Sequence, residues 1–261
     1  MILRCWLCSP SPAAVNAELP VLLRGMLPPE VLAVAVPLTK TLLRKRTARK
    51  KGDKALIDAA VESVWSTSLR FDTCGIPPAG EEYAELIVLC LQTAPAATPK
   101  QMSRLEEILL AAIPYPVFLM VAGAGFVRLS ALPPHTPIAA RVGLTLSAPA
   151  PEFTADLAVP QPEPEPNLRA VFDRWLCALY AQRLALNPPK SVTAAPYRRL
   201  SSPTEAEALE TQLNALRQQF AAAYTGLKHA HNPADQIKYA KARRRAADEI
   251  AALLSTLNET L

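Results

Sequence analysis

The sequence predicts an α+β fold: a small antiparallel sheet with helices on one side, followed by a C-terminal antiparallel helical hairpin of coiled-coil type. Three observations lead there. Over residues 53–150, apolar runs of strand length alternate with helix-start signals in the order helix, two strands, helix, two or three strands. A proline at every second position over 160–166 then divides the chain. Beyond residue 200, apolar residues recur at coiled-coil spacing on both sides of an Asn-Pro break.

Residues 1–39 are apolar and punctuated by proline, and short helices are expected near 17–26 and 29–35. A cationic run follows, in which Gly52-Asp53 reads as a stop and an N-cap. Leu56, Ile57, Ala60, Val61 and Val64 recur at helical spacing, which predicts a helix over 54–64. Trp65 to Phe71 alternates as a strand, Cys74 to Gly80 is a connection, and Tyr83 to Leu91 reads as a buried strand. Thr98-Pro99-Lys100-Gln101 is a capping box with proline at the first helical position. The helix it opens carries Met102, Leu105, Leu109 and Ile113 on one face, and Pro114 ends it. Val117 to Val121 and Phe126 to Leu132 are strands joined by the turn Ala122-Gly123-Ala124-Gly125, and Arg141 to Ser147 adds one more.

Pro160, Pro162, Pro164 and Pro166 alternate with Gln161, Glu163 and Glu165, the pattern of an extended spacer that advances about 3.1 Å per residue. Asn167 caps an amphipathic helix with Leu168, Val171, Phe172, Trp175, Leu176, Leu179 and Leu186 on one face, stopped by Asn187-Pro188-Pro189. Ser202-Pro203-Thr204-Glu205 is a second capping box. Leu209, Leu213, Leu216, Phe220, Ala223 and Leu227 follow as a seam. Asn232-Pro233 restarts the helix, with Asp235 in its first turn and Ala247, Ile250, Leu254, Leu257 and Leu261 beyond. So short a connection makes the two helices antiparallel. The expected segments are an apolar N-terminus with the basic run (1–52), an α+β core (53–150), a linker (151–166), a helix (167–188) and the hairpin (200–261).

Composition narrows the function classes. Half of the 261 residues are hydrophobic, enough to fold around a core, and 26 prolines against 8 glycines give stiff connections. The net charge of +5 is uneven. Lys40, Arg44, Lys45, Arg46, Arg49, Lys50, Lys51 and Lys54, opposed by Asp53, give residues 40–54 a charge of +7 and leave −2 for the rest. Dense Lys and Arg attract phosphate backbones, so Arg44, Lys45, Arg46, Arg49, Lys50 and Lys51 are candidate nucleic-acid contacts. The run has no interleaved aromatics, and a solvated face or a contact for an acidic protein reads the same way. Lys241, Arg243, Arg244 and Arg245 form a second cluster, read more simply as a solvent face. The odd, scattered set Cys5, Cys8, Cys74, Cys90 and Cys177 is no disulfide scaffold. With no signal-peptide core and no run of about 18 apolar residues, the cytoplasm is the expected compartment.

No complete catalytic set emerges. Cys5-Trp6-Leu7-Cys8 has zinc or redox spacing but lacks two further ligands, and prolines follow where a helix should start. Asp72, Glu81, Glu82 and Glu85 flank two predicted strands, as the acids of a metal-dependent nuclease would. Glu85 is followed by Leu86-Ile87-Val88, however, so the lysine such a core needs is absent. There is no glycine-rich phosphate loop. No cofactor and no metal is expected.

The segment from Arg104-Leu105-Glu106-Glu107 to Ala112-Ile113-Pro114-Tyr115-Pro116-Val117-Phe118-Leu119 resembles the hallmark of a bacterial family known as domain of unknown function 4391, in which a helix ends in an Ala-Ile-Pro-Tyr-Pro turn and enters an apolar strand. Lys50-Lys51-Gly52-Asp53-Lys54, Trp65 to Thr73, Glu82 to Leu89 and Arg128-Leu129-Ser130 resemble its other parts in order, over roughly residues 35–260. Members often follow the fourth strand with a His-Lys-Arg-like cluster; here stands Leu132-Pro133-Pro134-His135. The resemblance implies an accessory protein encoded beside helicases and DNA methyltransferases in restriction or phage-defence clusters, and it supplies no catalytic residues. The expected function is therefore a non-enzymatic adaptor that docks a helicase or methyltransferase, with Leu209, Leu213, Leu216, Phe220, Ile250, Leu254 and Leu257 as candidate docking residues. A homodimer through the hairpin is the alternative use of the same seam. Nucleic-acid binding through 44–51 is the alternative function, and a divergent nuclease using Asp72 and Glu85 the third.

Overall fold

Apolar runs without polar alternation, such as Leu86–Leu91 and Val117–Val121, suit strands covered on both faces, and the structure puts both at the centre of a sheet. The structure is a computed structural model that describes residues 21–46, 51–123, 125–147, 151–161, 163–186 and 200–259. Its two units are Met1–Leu179 and Tyr180–Leu261.

The first unit holds the sheet. Its strands lie in chain order: β1 (Val36–Pro37), β2 (Val61–Leu69), β3 (Leu86–Thr93), β4 (Val117–Gly123), β5 (Phe126–Leu132) and β6 (Val142–Leu146). Neighbours pair antiparallel except β3 and β4, which run parallel with Leu89 opposite Leu119. The helices of this unit are α1 (Val21–Met26), α2 (Pro29–Ala33), α3 (Lys40–Arg46), α4 (Lys51–Ala60), α5 (Phe71–Cys74), α6 (Pro99–Leu110) and α7 (Pro151–Leu157). A parallel pair needs a crossover, and α6 is that crossover. Thr98 caps it: its hydroxyl accepts from the Gln101 amide, and the Gln101 side chain accepts in return from the Thr98 amide.

Alternation along the strands sorts the two faces. Ile87, Leu89, Leu91, Val117, Leu119 and Val121 share one core cluster with Met102, Leu105, Ile108 and Leu109 of α6. On the other face Phe118 meets Trp175 of α8 (Leu168–Leu186), ring centroids 5.0 Å apart, and the Trp175 indole donates to the Leu157 carbonyl at 2.9 Å. The α+β class holds, but a helix covers the second face too, and one strand pair is parallel.

Three further expectations are corrected. The first strand begins at Val61, so Val61 and Val64 belong to β2 and not to the preceding helix, and Phe71 belongs to α5. Gly52 and Asp53 lie inside the first turn of α4 rather than ending an element. The proline-rich segment is tied down rather than free: the Gln161 amide donates to the Ala155 and Ala158 carbonyls, Glu165 pairs with Arg174 at 2.5 Å, and the unit boundary falls later, inside α8.

The second unit holds α9 (Pro203–His229) and α10 (Pro233–Glu259), two helices of 27 residues that pack on each other. Ser202 accepts from the Glu205 amide, and Asn232 accepts from the Asp235 amide at 2.7 Å, so both helices are capped; the box expected at Ser202 closes only on that side, because the Glu205 carboxylate accepts from the Ser201 hydroxyl instead. Ala206, Leu213, Leu216, Ala223, Ala246, Ile250 and Leu254 are buried, which is the seam. Gly226 is required by close approach: a Cβ there would lie 2.4 Å from the Tyr239 ring.

Candidate functional site

A charged constellation of the first unit is built on α6. Glu106 stands one turn beyond Met102 on the apolar face of that helix, and its side chain is fully buried. Strand β5 sends Arg128 and Ser130, two residues apart and so on one face, toward it. One Glu106 oxygen accepts from the Arg128 guanidinium; the other accepts from the Ser130 hydroxyl and, at 2.9 Å, from Arg141 just before β6. Gly143 pairs with Ser130 across the ladder, and a Cβ at Gly143 would stand 3.1 Å from the Ser130 hydroxyl and 3.4 Å from Glu106.

From there the network runs outward. Arg141 also reaches Glu107 at 3.7 Å, Glu107 pairs with Arg104 at 3.1 Å, and Arg104 pairs with the buried Asp53 of α4 at 2.9 Å. The hydrogen bonds that Arg104 donates to Asp53 first, then to Glu107, raise its guanidinium above the ordinary range. Three arginines thus meet three carboxylates and tie α4, α6, β5 and the start of β6 together. Glu106 thus accepts from three donors, one on one oxygen and two on the other. Removing one partner of such a group leaves buried charge uncompensated, at a cost of about 3–5 kcal/mol.

The family resemblance took in Arg104, Glu106 and Glu107 within its hallmark segment and Arg128 and Ser130 within a separate strand, but did not bring them together. The missed signal was a carboxylate four residues after Met102, inside a stripe otherwise apolar.

The basic run is divided by the structure. Arg44 pairs with Asp58 at 3.2 Å and also donates to Thr41, while Lys45 is exposed. Arg46 and Lys51 lie in α3 and α4 respectively; Arg49 and Lys50 lie outside the described residues. Asp72 is exposed and pairs with Arg70 at 3.3 Å. Among the described residues no group of three or more His, Cys, Asp or Glu side chains could hold a metal ion. Cys5 and Cys8 lie outside the described residues; Cys74, Cys90 and Cys177 form no disulfide among the described residues, and burial pushes Cys90 up to about 12.

In the second unit, Leu213, Leu216, Ile250 and Leu254 are buried, while Leu209 and Phe220 are partly buried. Leu257 lies within α10. Leu213, Leu216, Ile250 and Leu254 thus belong to the interior of this unit rather than to its exposed surface. At the start of this unit Arg183 pairs with Glu210 and lies over the Tyr180 ring. Among the described residues no helix is long and apolar enough to cross a membrane.

No curated protein and no solved structure matches the chain. The family model described as a domain of unknown function (DUF4391) matches residues 27–237. That match spans the sheet, the Glu106 network, α8 and α9, so the chain belongs to the DUF4391 family.

Proposed function

We propose that the protein is a non-enzymatic accessory subunit of a bacterial DNA-processing system of the phage-defence or restriction-modification type, docking a helicase or DNA methyltransferase through its C-terminal hairpin. The observation that carries this reading is the hairpin itself: two capped 27-residue helices, each about 40 Å long at 1.5 Å per residue, in a unit they share only with the end of α8 among the described helices. A long hairpin with a small seam offers far more outer surface than its own folding uses, which suits an adaptor. The resemblance to defence-associated accessory proteins supplies the kind of machine.

Affinity purification of the tagged full chain from its native host tests this. A helicase or methyltransferase should co-purify. Leu254→Asp places a charge in the buried seam and should abolish capture while leaving the sheet unit folded. A bait that retains no DNA-processing enzyme, or a Leu254→Asp bait that retains it fully, contradicts the proposal.

A further inference from the structure

The hairpin is electrically two-ended. The contact of Gly226 with Tyr239 sets the level of the two helices, and six residues further from the turn on each helix Phe220 lies level with Arg245. On the turn side of that level are Lys228, Lys238, Lys241, Arg243, Arg244 and Arg245, opposed by Asp235 alone, a net of +5. The remainder of α9 and α10 carries Glu205, Glu207, Glu210, Asp248, Glu249 and Glu259 against Arg217, a net of −5. Asp235 is further engaged at the turn, where the Asn232 amide donates to it at 2.7 Å.

The cations on the turn side are available. The Arg244 and Arg245 side chains are 87% and 83% exposed, and each has an i,i+4 carboxylate beside it, Asp248 at 3.9 Å and Glu249 at 2.8 Å. Exposed pairs of this kind are weak, so either guanidinium can exchange its partner for another anion. With Lys238 and Lys241 they form a stripe along α10; Lys241, Arg244 and Arg245 line a shallow depression that Asp248 and Glu249 close on the side away from the turn. Level with Lys241 on the other helix stands Tyr224, 43% exposed, with the Lys228 ammonium 4.7 Å above its ring centroid. A positive stripe fits a phosphate backbone, guanidinium forks fit phosphate better than ammonium does, and an exposed ring with a cation over it is a platform for a base. An acidic protein would use the charges but has no need of the ring.

We infer that the turn-side half of the hairpin is a nucleic-acid-binding surface, with Lys238, Lys241, Arg244 and Arg245 on the phosphates and Tyr224 stacking a base of a single strand. This goes beyond the adaptor reading and does not depend on it.

Fluorescence anisotropy with the full chain and labelled DNA of about 20 nucleotides, single-stranded and duplex, over a salt series decides it. The variant K238Q/K241Q/R244Q/R245Q should bind single strands at least tenfold more weakly at low salt, with a log–log salt slope shallower by about 3. Tyr224→Ser should weaken single-strand binding about tenfold and leave duplex binding unchanged. Circular dichroism should show unchanged helicity in both, because every altered side chain is exposed. The inference is overturned if the wild-type chain binds neither DNA at low salt or if the quadruple variant binds like wild type. It is equally overturned if R44Q/K45Q/R46Q alone removes the binding. Polyglutamate binding as tightly as DNA, and lost in the same quadruple variant, would assign the surface to acidic proteins instead.

Discussion

In the sheet unit Glu106 is buried between Arg128 and Arg141 and shares its oxygens among three donors, whereas in the hairpin Arg244 and Arg245 stand in solvent beside a single carboxylate each. Both regions are rich in charge, and the sign pattern differs as much as the burial. Around Glu106 the charges alternate and cancel; along the hairpin they are segregated, positive toward the turn and negative away from it. Cancelled, buried charge specifies how α4, α6, β5 and β6 meet. Segregated, exposed charge contributes little to folding and leaves a field for something else to meet.

The contrast breaks most sharply at its centre. Glu106→Ala should destabilise the protein by about 3 kcal/mol or more in urea unfolding, since Arg128 and Arg141 lose their shared counter-charge. A loss under about 1 kcal/mol would mean that the network relaxes into water. Gly226→Ala sharpens the hairpin side. Alone it should destabilise by about 1 kcal/mol, because the clash with Tyr239 outweighs the helix propensity gained; in a Tyr239→Leu background the same change should stabilise by up to about 1 kcal/mol. An unchanged sign would show that the Gly226 contact does not set the hairpin.

A smaller effect comes from Asp173 on α8. Burial raises its carboxyl above the ordinary range, against the lowering influence of Arg169, so the folded state holds the proton more tightly than the unfolded one. Stability from this group is present below the unfolded pKa and lost as pH rises through the folded pKa. Asp173→Asn should therefore gain a few tenths of a kcal/mol at neutral pH, limited because 35% of the side chain remains exposed, and match wild type in acid. An Asn variant no more stable at neutral pH than in acid, each relative to wild type, would contradict the sign. The smallest effect is that of Arg244→Gln, which should leave stability within about 0.5 kcal/mol of wild type. A larger loss there would erase the distinction between the two regions.

What could be read from residues alone follows the range of the interactions. The caps at Thr98, Ser202 and Asn232 were legible because donor and acceptor lie three residues apart. The seam from Leu209 to Leu227 was legible because its period is a property of one helix. Val61 and Val64 were misassigned because helical spacing and a β-branched strand start coincide over so few residues; pairing with β3 decided for the strand. The parallel β3–β4 pair joins segments separated by a whole crossover, and the anchoring of Gln161 and Glu165 uses side-chain bonds to Ala155, Ala158 and Arg174, which neither alternation nor composition encodes. Glu106 escaped because a stripe was counted by its apolar members; its partners Arg128 and Arg141 lie 22 and 35 residues away.

Hydrogen exchange on the captured assembly tests the central claim most directly. If the hairpin is the docking element, amides of 203–259 should exchange more slowly in the complex than in the free chain, while those of β5 and β6 around the Glu106 network stay as they are. Protection concentrated at residues 126–146 with an unaltered hairpin would contradict it, and would make the charged network, not the hairpin, the surface that the partner reads.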